Sequence, residues 1–135
     1  FNLSITGKPG AYTIYPIPEM IFKDYPPEKA RILGYRSKWE EDSFEYRHTA
    51  RQFGTLEDNP GLAAGLRDTA IACGEVFGLS GYFRVDIRVG SDGLPTVLEV
   101  NGNPCIAPDS GFIAAGLHAG YSLTEIVKQI IDCLN

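Results

Sequence analysis

Three cysteines in 135 residues, none spaced as a CxxC pair, leave little material for a disulfide framework or a thiolate metal cluster. They read as reduced thiols in a cytoplasmic setting, with Cys73 and Cys133 expected in packed positions. Positive charge is also scarce. Twelve Lys and Arg residues against seventeen Asp and Glu leave a net charge of −5, and the cations are scattered. A nucleic-acid groove, which shows a basic stripe, is therefore not an expected feature. No apolar run approaches the ~20 residues needed to span a bilayer, so no membrane partner is expected. Internal repeats and low-complexity segments are absent. There is no initiating Met, and FNLSITG opens directly in a strand-like pattern, as expected of a part of a longer protein.

What is present is the composition of a folded domain with one core, 44% apolar and 21% charged. Residues 2–6 (NLSIT) and 12–22 (YTIYPIPEMIF) read as strands joined by a GKPGA turn. Pro16 and Pro18 place the second strand at a sheet edge or bend it. RILGYRSKW (31–39) reads as another short strand. The polar stretch over residues 40–58 reads as a loop of the length that active-site lids use. Asn59-Pro60 starts a helix whose apolar face is Leu62, Leu66, Ala70, Cys73 and Phe77. A short helix is expected between Ser110 and Ala119. Ser122-Leu-Thr-Glu125 is a capping box for a last helix with a stripe of Leu123, Ile126, Val127, Ile130, Ile131 and Leu134. This order predicts an α+β fold, an antiparallel sheet covered by helices.

The chemistry concentrates in YFRVDIRVGSDGLPTVLEVNGNP (82–104), two apolar strands around an Asp92-Gly93 turn. A two-residue type I′ turn there would pair Asp86 with Glu99 and Arg84 with Asn101. Phe83, Val85, Ile87, Val89, Leu98 and Val100 would share one face, with Arg84, Asp86, Arg88, Glu99 and Asn101 on the other. Two carboxylates directly opposite on neighbouring strands repel. Two readings follow. In one, a cation of the Mg²⁺ or Mn²⁺ type sits between Asp86, Glu99 and the Asn101 carbonyl, with Arg84 facing developing charge. In the other, the face is solvated and Arg84 and Arg88 neutralise the acids as ion pairs. After the hairpin, NGNPCIAPDSGF leads to Ser110 at a helix start, either an anion site or simply an N-cap.

These residues resemble a family. R-x-D on one strand, D-G at the turn, then L-E-x-N-x-x-P and a downstream Ser is similar to the metal-site signature of ATP-grasp ligases, in the D-alanine–D-alanine ligase branch. FNLSITG, ILGYRSKWEEDSFEY and YSLTEIVKQIIDCL resemble flanking parts of the same region, so the likeness covers essentially the whole chain. It implies the C-terminal, metal- and phosphate-binding subdomain of an ATP-grasp fold. It further implies ATP and two Mg²⁺ (or Mn²⁺) ions as cofactors, with Asp86, Glu99 and Asn101 as metal ligands and Glu99 also on the nucleotide side. Arg84 would stabilise an acyl-phosphate and the tetrahedral species formed from it. Lys38 would reach the ATP phosphates, residues 39–53 would form the lid, and Ser110 would hold the carboxylate of the second substrate.

The reaction so implied is ligation of a small-molecule carboxylate to an amine, in a full-length protein that forms a homodimer, with this chain inactive alone. Two departures fall on the acceptor side. The family's P-G-M is here Pro104-Cys105-Ile106, and its His-Ser-Leu is here Asp109-Ser110-Gly111. They point to a second substrate other than that of the cell-wall enzyme, with Cys105 expected as a packed thiol. The alternative reading is a degenerate ATP-grasp module that binds nucleotide or serves as a scaffold without ligating.

Overall fold

Asn2, Ser4 and Thr6 alternate with Leu3, Ile5 and Gly7, and this period of two builds the strand at the centre of the fold. The computed structural model describes residues 1–133, apart from the side chain of Trp39. It divides the chain into two units, residues 1–18 with the chain from 53 onward, and residues 19–52.

The first unit carries a four-stranded antiparallel sheet. Its strands are β1 (Asn2–Lys8), β2 (Ala11–Ile14), β5 (Gly81–Val89) and β6 (Pro95–Asn101), in the order β2-β1-β5-β6. Leu3, Ile5, Phe83, Val85 and Ile87 form one face and are fully or almost fully buried. They pack against α3 (Pro60–Phe77) through Leu66 and Ala70. Asn59 caps α3 by accepting from Leu62 N–H at 3.1 Å, as expected. The buried face, however, is Ala63, Leu66, Ala70 and Gly74, and Phe77 is 64% exposed. The helix lies so close to the sheet that a Cβ on Gly74 would stand 2.8 Å from the rings of Phe83 and Tyr12. Glycine at 74 lets the helix sit this close; Leu62, Leu66, Ala70 and Cys73 of the expected face pack on the sheet, and Phe77 leaves it.

The other face of the sheet is divided. Ser4 and Thr6 lie buried where α4 (Gly111–His118) and α5 (Leu123–Asp132) cover it, with Tyr15, Phe112, Ile113, Ile126 and Ile130 as the core. Tyr82 packs edge-on against Phe112, with ring centroids 5.4 Å apart. The capping box of α5 is formed, Glu125 accepting from Ser122 N–H at 2.7 Å. Of the expected stripe, Ile126 and Ile130 are buried while Leu123 and Ile131 are exposed; Leu134 lies outside the described residues.

The second unit holds β3 (Glu19–Phe22) and β4 (Thr49–Gln52), paired antiparallel, with α1 (Tyr35–Trp39) and α2 (Phe44–Arg47). Three expectations change here. Residues 12–22 are two strands in two sheets, because the chain leaves the first sheet through Pro16 and Pro18. Residues 35–39 are a helical turn, not a strand. Ser37 donates to Gly34 O at 2.8 Å and Arg36 pairs with Glu40 at 3.0 Å, local bonds that close the backbone on itself. The 40–58 stretch is not structureless, since it contains α2 and β4. Phe22, Tyr25, Phe44 and His48 form a chain of ring contacts there, edge-on, tilted and stacked in turn, and Lys29 bonds Glu45 at 2.7 Å.

Candidate functional site

Arg84 stands opposite Asn101 and Asp86 opposite Glu99, as the spacing predicts. The route to that register differs. Asp92 has no positive φ, which a type I′ turn needs at both central positions; among the described non-glycine residues only Asp24 does. Ser91, Asp92 and Gly93 instead form a three-residue loop. Gly90 accepts from Gly93 N–H at 3.0 Å, and Gly93 turns the chain at φ 76°. The longer loop pairs Ile87 with Val97, not Leu98. Leu98 is then the extra residue of a bulge and lies 63% exposed, correcting its expected place on the core face.

Beyond the bulge the polar residues come together. Arg84 donates both arms of its guanidinium to Asp86, Nε to Oδ1 at 2.7 Å and Nη2 to Oδ2 at 2.8 Å. Both side chains are largely buried, 17% and 15% exposed. Burial alone would lower the guanidinium's pKa. The hydrogen bonds and charge of Asp86, with the charge of Glu99, outweigh it and hold Arg84 above its ordinary value. Asn101 Oδ1 accepts from Asn103 N–H at 2.9 Å, and the Tyr82 hydroxyl donates to Asn103 Oδ1, which fixes the turn leaving β6. Asn2, directly across from Asp86 on β1, donates Nδ2 to Asp86 Oδ1 at 2.7 Å.

Asn2, Tyr82 and Asn103 were not singled out from the sequence. The signal for Asn2 was its place in the 2, 4, 6 polar alternation, but the strand pairing that brings it to Asp86 spans 84 residues. Ser110 is the N-cap of α4, accepting from Ile113 N–H at 3.4 Å. Lys38 lies on α1 in the second unit and is exposed. That unit also has an open cavity of about 400 Å³ lined by Arg36, Glu40, Glu41, Asp42 and Ser43. Cys105 is exposed and not packed, its Sγ 3.5 Å from Ala107 N; Cys73 and Cys133 are partly buried.

Among the described residues no group of three or more His, Cys, Asp or Glu gathers as a metal cage. The two carboxylates and one amide of this face are hard oxygen donors. Their small number fits a cation of the Mg²⁺ type, which keeps water and substrate-phosphate oxygens in its shell. No helix among the described residues is long and apolar enough to cross a membrane.

Known proteins give the same picture. The family described as D-ala D-ala ligase C-terminus matches residues 4–132. A D-alanine–D-alanine ligase of Maridesulfovibrio salexigens is 30% identical over 107 residues, covering 79% of this chain and 33% of that protein. A solved D-alanine–D-alanine ligase from Bacillus anthracis, complexed with ATP, superposes with a TM-score of 0.66 at 20% identity over 98% of this chain and 37% of that one. The D-Ala:D-Ser ligase VanG from Enterococcus faecalis gives a TM-score of 0.67 at 15% identity, covering 98% and 35%. The chain spans a fifth to a third of the length of the curated relatives it matches. With the α+β architecture, the hairpin register and a match running nearly end to end, the chain belongs to the D-alanine–D-alanine ligase C-terminal family of the ATP-grasp fold.

Proposed function

We propose that the protein carrying this chain is an ATP-dependent ligase that joins a small-molecule carboxylate to an amine through an acyl-phosphate, with Mg²⁺ or Mn²⁺ as cofactor. The observation that carries the reading is the two opposed pairs, Asp86 against Glu99 and Arg84 against Asn101, on one sheet face. Like charges in that position repel; Arg84, forked on Asp86, offsets part of the repulsion, and a bound divalent ion would offset the rest. Asp86, Glu99 and Asn101 would hold the metal, two ions by the family likeness, and Glu99 also meets the nucleotide side. When bound, the divalent ions would neutralise the phosphate oxygens during phosphoryl transfer. Arg84, fixed by its forked contact with Asp86, is the cation available for the acyl-phosphate and for the oxyanion that forms when the amine attacks.

The remaining assignments rest on the family likeness. Lys38 serves the nucleotide phosphates, residues 40–58, which include α2 and β4, act as a mobile active-site segment, and Ser110 receives the carboxylate of the amine substrate. Cys105 and Asp109 on the acceptor side favour a second substrate other than D-alanine. The reading includes a cytoplasmic, homodimeric full-length protein, and no turnover by residues 1–135 alone.

The test is phosphate release from ATP by the full-length protein with Mg²⁺ and a panel of amino acids and carboxylates. Release that depends on both substrates, and its loss in Glu99→Gln, supports the ligase. ATP binding without release from any pair leaves the non-catalytic nucleotide-binding module.

A further inference from the structure

Asp86 is held by three donors, and they are not shared evenly between its oxygens. Oδ1 accepts from Arg84 Nε at 2.7 Å and from Asn2 Nδ2 at 2.7 Å. Oδ2 accepts from Arg84 Nη2 at 2.8 Å. A carboxylate offers about two acceptor directions on each oxygen. Asn2 therefore completes Oδ1, so any further ligand must approach through Oδ2.

The placement is built into the sheet. Asn2 and Asp86 are direct partners in the β1–β5 ladder, and both side chains are partly buried. Leu3 and Val85, the next pair along, are fully buried and lock the register. The Asn2 amide thus starts from a fixed backbone position, and its hydrogen bond to a charged acceptor is of the stronger kind.

Arg84 alone cannot do this job in the reaction read above. Two of its five N–H donors hold Asp86, and swinging the guanidinium toward a transferring phosphoryl group would disturb both contacts. Asn2 lies on another strand and makes its contact independently of Arg84.

We propose that Asn2 is a positioning residue for the divalent-cation site, closing Asp86 Oδ1 so that Asp86 meets the cation through Oδ2. The proposal rests on the metal-dependent reading of the hairpin. Outer partners that orient a ligating carboxylate change metal affinity by about 10–100-fold when removed.

The test is a Mn²⁺ titration of the full-length protein, followed by the electron paramagnetic resonance of free Mn²⁺, with Mn²⁺ alone as the probe. Wild type, Glu99→Gln, Asn2→Leu and Asn2→Gln are compared, each with its thermal unfolding midpoint. The expected result is binding by wild type and its loss in Glu99→Gln. Asn2→Leu, which keeps the side-chain size without a donor, should bind at least about ten-fold more weakly. Asn2→Gln, which keeps a donor, should recover most of that loss. A purely structural Asn2 would shift the midpoint and leave the affinity alone. Unchanged or tighter binding in Asn2→Leu, with Glu99→Gln still defective, overturns the role of Asn2 and leaves the metal reading standing. Absence of Mn²⁺ binding in wild type overturns both.

Discussion

Asp86 and Glu99 face each other across β5 and β6 although the loop joining their strands is one residue longer than the Asp92-Gly93 pair implies. The longer loop shifts the ladder by one, and the unpaired Leu98 shifts it back. Two irregularities cancel, and the acid pair survives. The longer loop alone would put Leu98 against Asp86, and the bulge alone would put Val100 there. The bulge beside the polar cluster sets where the edge strand presents its carboxylate.

The bulge makes a prediction about stability. Leu98, at 63% exposure, should tolerate change to Ser with less than about 0.5 kcal/mol lost. Leu3, fully buried in the same sheet, should lose about 2–5 kcal/mol on change to Ala. Urea denaturation of the two variants checks the contrast. A large loss at Leu98 would restore the regular two-residue hairpin and remove the bulge.

Local signals carried most of what could be read ahead of the structure. The capping box at Ser122 and Glu125, the Asn59-Pro60 helix start and the alternation in β5 need only a few neighbouring residues, and all three are formed. What could not be read depended on distant partners. Asn2 meets Asp86 only through the β1–β5 ladder, and Gly74 joins the contact face of α3 only because Phe83 and Tyr12 stand above it. The segment around Lys38 reads as a strand yet forms a helical turn, because the Arg36–Glu40 and Ser37–Gly34 bonds that favour the turn carry no apolar period.

Gly74 itself can be tested. Alanine should help an isolated helix by about 1 kcal/mol relative to glycine. Here its Cβ would stand 2.8 Å from two ring tips, one of them on fully buried Phe83. Overpacking of this kind costs about 1–3 kcal/mol, so Gly74→Ala should lower stability on balance. Thermal unfolding of this variant, beside Gly78→Ala as a site where a Cβ meets nothing within 4 Å, separates crowding from backbone effects. Gly78 adopts φ 59°, so its variant should also lose stability, but by strain and not by contact with Phe83. Adding Phe83→Leu should rescue Gly74→Ala only.

Glu125 gives a pH dependence with a definite sign. Bonds from the Ser122 backbone N–H and hydroxyl hold its carboxyl below the usual glutamate range. Between the lowered native value and the ordinary one of ~4.3, the unfolded chain binds more protons than the native one. The cap's contribution is therefore complete above the ordinary value and lost as pH falls through the native one. Urea midpoints measured from pH 6 down to 3 should fall less steeply in Glu125→Gln than in wild type. Equal slopes would mean that the capping box contributes nothing to acid stability.

Arg84 separates charge stabilisation from metal holding. Its fork on Asp86 satisfies a largely buried carboxylate, yet it also places a cation where a divalent ion would have to share that carboxylate. Under the ligase reading, Arg84→Ala removes the group facing the developing oxyanion, and phosphate release should drop by at least about 100-fold. Removing a competing positive charge should leave Mn²⁺ affinity equal or higher, since Asn2 still holds Asp86 Oδ1. Arg84→Lys keeps the charge but not the fork, and one ammonium cannot hold both carboxylate oxygens in the planar bidentate manner. It should recover only part of the turnover while binding Mn²⁺ no better than Arg84→Ala. Steady-state phosphate release and Mn²⁺ titration on the same three proteins decide the matter. Parallel loss of both in Arg84→Ala would make the arginine a support for the metal site and not a partner of the reacting group.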